Sequence, residues 1–339
     1  VLGNLLRPWL LARLVTSGAA AALALIVVVT ALRLYRTRAL ARSPEGSVVI
    51  DRRAELLAGL TSAESVLSIL SLVVAAIGAE RLHGTMRGAM CAYGVLAATP
   101  WGLRGLLVAA GAAIAGAVWL SLHRAESVLP EPALGAEKLL AAAAMAPLAL
   151  ADFGLSTLHA LALDFREVAS CCASGLEEAR TFVGEDGEPR TVAVMILFGA
   201  GLSASLLAAW NARAPSVARA RAVVALTLGA ASAAPLAITT WVAPHVYGTP
   251  NHLCPFCLLR WGEGMGLGWP LYAALFVAVT RGSAVGVTAW VARRTGSPLL
   301  DPIVRRTSMG AAIAWVVTLA LAVGPWILYR LGTGAALFG

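Results

Sequence analysis

Eight separate runs of apolar residues, each about as long as a bilayer is thick, dominate this chain. They cover roughly 14–32, 60–79, 104–122, 139–162, 191–210, 222–243, 264–280 and 309–330. A helix needs about 20 such residues to cross a hydrocarbon core of ~30 Å. Lipid offers no partner to backbone N–H and C=O groups, so runs of this length fold as helices. The fold class expected is therefore all-α: a polytopic integral membrane bundle of about eight transmembrane helices. Composition excludes a water-soluble domain. Of 339 residues, 59% are hydrophobic and only 13% are charged, against about 25% charged in soluble proteins, and the mean hydropathy is +0.79. The partner that solvates such a chain is the lipid bilayer.

Two further apolar stretches are too short to span. Ser283 to Ala292 is about half the required length and is expected at the interface or as a re-entrant piece; Met86 to Pro100 is similarly short. The first run is read as a span and not as a cleaved signal, because the basic segment Arg33, Arg36, Arg38, Arg42 follows it with no small-residue cleavage site between. The chain divides into three parts on this reading: 1–138 with about three spans, 139–280 with four helices and an outer loop over 164–190, and 281–339 with a cytoplasmic or interfacial segment and the last span.

A net charge of +8 raises the question of nucleic acid, but the basic residues are dispersed between apolar runs and form no stripe, so no nucleic-acid partner is expected. They act instead as topology signals. The connections after spans one, three, five and seven hold 16 of the 26 basic residues, which places those connections in the cytoplasm. All five cysteines then fall on the opposite face: Cys91 after span two, Cys171 and Cys172 after span four, Cys254 and Cys257 after span six. In a bacterial inner membrane that is the periplasmic, oxidising side, where disulfides form and persist.

The strongest local signal is the stretch from His245 to Leu259, which contains Cys254-Pro255-Phe256-Cys257. Two cysteines three apart at the opening turn of a helix share a face and can close a disulfide. The helix N-terminus favours the thiolate that attacks in exchange, and Pro255 suits an opening turn. Cys171 and Cys172 stand at the start of the longest hydrophilic connection, where Asp164 to Arg190 carries seven acids and three arginines. Adjacent cysteines rarely bond to each other; they serve as alternative partners for a third sulfur or as soft metal ligands. Cys91 makes the count odd and is either a packed hydrophobe or a fifth redox or ligand position.

Ionisable groups inside spans are functional candidates by default. Asp152, Ser156 and His159 follow i, i+4, i+7 spacing and share one face of span four. That face can hold a proton path or a quinone carbonyl, or be an Asp–His pair satisfied within the bundle. Glu64 and Glu263 lie near span ends and are expected to reach the headgroups.

Spans four to seven, about 140 residues, resemble the vitamin K epoxide reductase family and the bacterial membrane oxidase of disulfide-bond formation. The order matches: a helix over 139–162, an outer loop with Cys171 and Cys172, two helices, and a fourth that opens with Cys254-Pro255-Phe256-Cys257-Leu258. The resemblance implies that Cys254 and Cys257 face a quinone and that the loop cysteines shuttle a disulfide to a periplasmic thioredoxin-fold partner. In that family the loop cysteines are several residues apart, whereas here they are adjacent.

The leading expectation is thus a membrane thiol–disulfide oxidoreductase with catalytic Cys254, Cys257, Cys171 and Cys172, and Asp152, Ser156 and His159 as quinone-side residues. Two rivals share the residues. One is a metal-handling protein binding copper or zinc through His245, His252, Cys254 and Cys257. The other is a structural subunit of a membrane complex whose cysteines only staple loops.

Overall fold

A computed structural model describes residues 6–40, 44–130, 134–165, 188–262, 264–335 and 337–338. Helix α1 (Pro8–Leu40) and α2 (Pro44–Leu82) lead to a 3-10 turn (His83–Thr85) and the six-residue α3 (Ala92–Ala97). Then come α4 (Gly102–Glu126), α5 (Gly135–Ala162), α6 (Glu188–Arg213) and α7 (Val217–Ala237). Helix α7 runs through a π-helical turn (Ile238–Val242) into α8 (Ala243–Tyr247). A 3-10 turn (Pro255–Leu259) precedes α9 (Gly268–Thr295), and another (Pro298–Leu300) precedes α10 (Asp301–Thr333). The described residues contain no strand.

Eight of these helical stretches are long and apolar enough to cross a membrane, the number expected. Their outer faces remain exposed and apolar: Leu11, Val15, Ile26 and Val29 on α1, Met195, Leu202 and Leu206 on α6, Ile313, Val317 and Leu328 on α10. Water would not tolerate so much exposed hydrocarbon, whereas lipid does. The chain is an integral membrane protein.

The stretch Ser283 to Ala292 is not an interfacial piece. It is the continuation of α9, which runs unbroken from Gly268 to Thr295. Arg281 interrupts the hydropathy but supplies a normal backbone donor and acceptor, so it does not end a helix; its stem lies beside Gly310 of α10. Met86 to Pro100 does stay short, holding only α3 and turns.

The helices group into two units. In the first, α5 packs along α1 and α4. Small residues make the approach close: Ala24 meets Ala146 and Ala149, and Gly105 lies against Leu155. Such contacts replace the hydrophobic drive that lipid removes. The fourth span, which carries Asp152, therefore belongs with spans one to three.

The second unit comprises segment 82–95 and helices α6 to α10. Helix α6 packs on α7 and α10, around the fully buried Trp315, whose indole N–H donates to Thr227 Oγ1 at 3.2 Å. Asn211 ties α6 to α10 by donating to Ser308 Oγ at 3.0 Å. Pro235 near the end of α7 withholds one ladder donor, and the helix widens into its π turn three residues later.

Candidate functional site

The site is built on the short connection between α8 and α9. Helix α8 ends at Gly248, whose left-handed φ of 64° turns the next N–H, that of Thr249, back to Pro244 O at 3.2 Å. The chain turns at Thr249 to His252, with His252 N–H donating to Thr249 O at 3.3 Å. Cys254 is extended, and Pro255 opens the 3-10 turn that carries Cys257. The local expectation for Pro255 holds, but the cysteine pair does not sit on the first turn of span seven. Residues 260–267 intervene, with Met265 and Gly266 both at positive φ, because a segment with glycine at 262, 264, 266 and 268 is a poor helix former.

Neighbouring side chains add to the backbone bonds of this turn, in which Cys257 O accepts the Arg260 N–H at 3.0 Å. Tyr247 Oη donates to Cys257 O at 2.9 Å, Tyr272 Oη donates to Pro255 O at 2.6 Å, and Trp269 Nε1 donates to Leu259 O at 2.9 Å. Gly264 closes over the same turn so tightly that a Cβ there would stand 2.5 Å from Cys257 O.

A third cysteine joins from a distant segment. Cys91 precedes α3 and accepts the Gly94 N–H on its carbonyl at 3.0 Å. Its sulfur lies 3.5 Å from Cys254 Sγ, and the three sulfurs of Cys91, Cys254 and Cys257 all lie within 4.8 Å of one another. The three are 0%, 1% and 5% exposed and are packed by Tyr93, Tyr247 and Phe256.

The histidines of the same stretch point elsewhere. The His252 ring stacks on Tyr247 with centroids 3.7 Å apart. His245 Nδ1 donates to Trp241 O at 2.7 Å, which leaves Nε2 as its acceptor. Among the described residues, the donors gathered within 4.8 Å are the three cysteines, without His245 or His252. His245, Tyr247 and Tyr329 line a cavity of about 520 Å³ whose remaining wall is mainly apolar, including Leu267, Pro325 and Leu328. Tyr247 is common to this cavity and to the cysteine cluster.

Asp152, Ser156 and His159 do share a buried face of α5, in the first unit. Each is engaged there. Asp152 forms an ion pair with Arg13 of α1 and accepts from Ser71 Oγ of α2 at 3.0 Å; Arg13 also donates to Ser71 O at 2.9 Å. Ser156 Oγ donates to Asp152 O at 2.6 Å, and His159 Nδ1 meets Thr99 Oγ1 at 2.6 Å. Cys171, Cys172 and Glu263 lie outside the described residues.

Sequence reasoning did not place Cys91 beside Cys254 and did not single out Tyr247, Tyr272 or Arg13. For Arg13 the signal was present: it is a charge in a helix that crosses the membrane, where an unpaired guanidinium is costly. Compared with known proteins, the chain matches no family model, no curated protein and no solved structure.

Proposed function

We propose that this chain is a membrane thiol–disulfide oxidoreductase in which Cys254 and Cys257 form the redox pair and Cys91 is a third, exchanging sulfur. The observation that carries the reading is the convergence of three sulfurs within 4.8 Å inside an aromatic shell. Thiol–disulfide exchange needs three sulfurs in reach: a thiolate attacks one sulfur of a disulfide and the other departs. Here Cys91 as thiolate bonds Cys254 while the Cys254–Cys257 bond breaks, and Cys257 leaves as the thiolate. Two protonated thiols and a disulfide are both neutral, so either redox state is compatible with an apolar burial site.

Closing the disulfide from two thiols releases two electrons and two protons, which an acceptor must take up. A quinone is the acceptor favoured by the resemblance of this helix order to the reductase family, and it would accept both pairs as a quinol. The cavity beside the cysteine cluster is large enough for a quinone ring, with apolar walls and three polar side chains, His245, Tyr247 and Tyr329. It is better suited than Asp152, Ser156 and His159, each of which is already engaged by a neighbour in the first unit. In this reading Cys171 and Cys172 exchange with a periplasmic thioredoxin-fold partner, and all five cysteines belong to the periplasmic side of a bacterial inner membrane.

The test is anaerobic: the purified, pre-reduced protein is mixed with a short-chain quinone and quinol formation is followed optically. Turnover should match the thiol pairs consumed and vanish in Cys254→Ser. Quinol formation that persists in Cys254→Ser would overturn the proposal. The same three sulfurs, as thiolates, also form a donor set for Cu(I) or Zn(II), which is the second reading. A stoichiometric ion in the purified protein, lost in each single Cys→Ser variant, would replace the redox reading with the metal one.

A further inference from the structure

The first unit contains a polar row that the cysteine chemistry does not use. Along one face of α2, Thr61, Glu64, Ser65, Ser68 and Ser71 are all buried, at the spacing that stacks side chains on a single helix face. The row spans about 15 Å, at 1.5 Å per residue. Glu64 is its centre. It is packed inside the unit and not turned out toward headgroups, and the last charge before it on α2 is Glu55, about 14 Å of helix away. Its side chain is fully buried, and neither carboxyl oxygen has a hydrogen-bond partner.

Both ends of the row are defined. At one end Ser71 joins the Arg13–Asp152 pair, whose charges neutralise each other. At the other end Thr61 lines a cavity of about 490 Å³ whose charged and titratable lining is Asp51, Arg52, Glu55, His123, Glu126 and Lys138. Glu126 and Lys138 are paired there. Between the ends, Gly116 of α4 lies against Ser65, where an added Cβ would stand 3.0 Å from the serine.

A carboxyl group at membrane depth is stable as the neutral acid or beside a cation. Among the described residues of this unit, α2 itself carries Asp51, Arg52 and Glu55 at the cavity and Glu80 beyond Ser71, and the neighbouring helices carry Arg13 on α1, His123 and Glu126 on α4, and Lys138, Asp152 and His159 on α5. Arg13 is committed to Asp152 and Lys138 to Glu126, so neither is spare for Glu64. A hard metal cation would need six or more oxygens in a shell, whereas this row lies along one helix. The Thr61 and Ser65 hydroxyls donate to the α2 carbonyls of Leu57 and Thr61 at 2.8 and 2.7 Å, which leaves their oxygens as acceptors.

We propose that Glu64 is a reversible proton-binding site, loaded from the cavity lined by His123, Glu126 and Lys138 past the Thr61 hydroxyl. A hydronium ion entering the cavity from solvent supplies the proton, the carboxylate takes it as an O–H, water is left behind, and no electron moves. The site is independent of the redox reading of the cysteines.

The experiment uses the full chain in detergent micelles. Dicyclohexylcarbodiimide, an apolar reagent that adds to protonated carboxyls, is applied across a pH series and the modified peptide is quantified by mass spectrometry. In parallel, infrared difference spectra between low and high pH report the protonated carboxyl band. Glu64 should be modified at low pH, with modification falling about tenfold per pH unit once the proton is lost. The infrared band should be absent from Glu64→Gln. Thr61→Val, which keeps the shape and removes the hydroxyl, should slow protonation after a pH jump about tenfold, a factor that corresponds to 1.4 kcal/mol in the barrier. A band unchanged in Glu64→Gln, or one that does not titrate, would overturn the site. Protection from the reagent by sodium at fixed pH would overturn it in favour of a cation site, and an unaltered rate in Thr61→Val would overturn the route.

Discussion

Cys91 Sγ and Cys254 Sγ stand 3.5 Å apart across 163 positions of sequence. That contact turns an isolated C-x-x-C into a three-sulfur centre, and it defines the first prediction. In Cys257→Ser, the attacked Cys254 lacks its resolving partner, so a Cys91–Cys254 disulfide should accumulate on mild oxidation. Non-reducing peptide mapping reads it directly. The double variant Cys91→Ser, Cys257→Ser should give no such peptide, and finding Cys254 thiol unreacted in Cys257→Ser would remove Cys91 from the centre.

Gly264 is the position where the backbone around the pair admits no side chain, because a Cβ would meet Cys257 O at 2.5 Å. Gly264→Ala must move either the 3-10 turn or the loop, at a cost of about 1–3 kcal/mol. Its melting temperature in detergent should fall, and disulfide exchange at Cys254 should slow. Alanine at Gly154 on α5, where nothing lies within 4 Å of the added carbon, is the control and should change neither.

The Arg13–Asp152 pair holds α1, α2 and α5 together through Ser71. Removing one partner strands a buried charge, so Arg13→Met or Asp152→Leu alone should destabilise by about 3–5 kcal/mol. The double variant should be less destabilised than either single one. Thermal unfolding of the four proteins closes the cycle, and purely additive losses would mean that the two charges do not act as a pair.

The proposed sidedness rests on the 16 basic residues on one set of connections against 10 on the other. In a background lacking native cysteines, Asn251→Cys should react with an impermeant maleimide added to intact cells, and Ala214→Cys only after the membrane is opened. The reverse pattern would place the C-x-x-C turn in the cytoplasm. Native cysteines are unsuitable reporters, since Cys91, Cys254 and Cys257 are almost wholly buried.

The number of membrane helices was legible in the sequence because spanning is a local property. Each run of α1 to α10 that crosses carries its own length, its own hydropathy and its own backbone hydrogen bonds. Pro255 as the opener of a turn was legible for the same reason. The extent of α9 was not, since Arg281 breaks the hydropathy while leaving the backbone ladder intact.

What only the tertiary structure decided is which side chains meet. Cys91 reaches Cys254 because segment 82–95 packs within the same unit as the α8–α9 connection. That connection folds back on itself through Gly264 and Gly266 instead of starting α9 at Cys254. Glu64 is a buried carboxyl, and not a headgroup contact, because its face of α2 packs inside the unit, where Gly116 of α4 lies against the adjacent Ser65. Periodicity assigns a residue to a face of its own helix. The partner of that face depends on contacts between helices far apart in the chain, and in lipid those are set by small-residue packing and paired polar groups instead of by hydropathy.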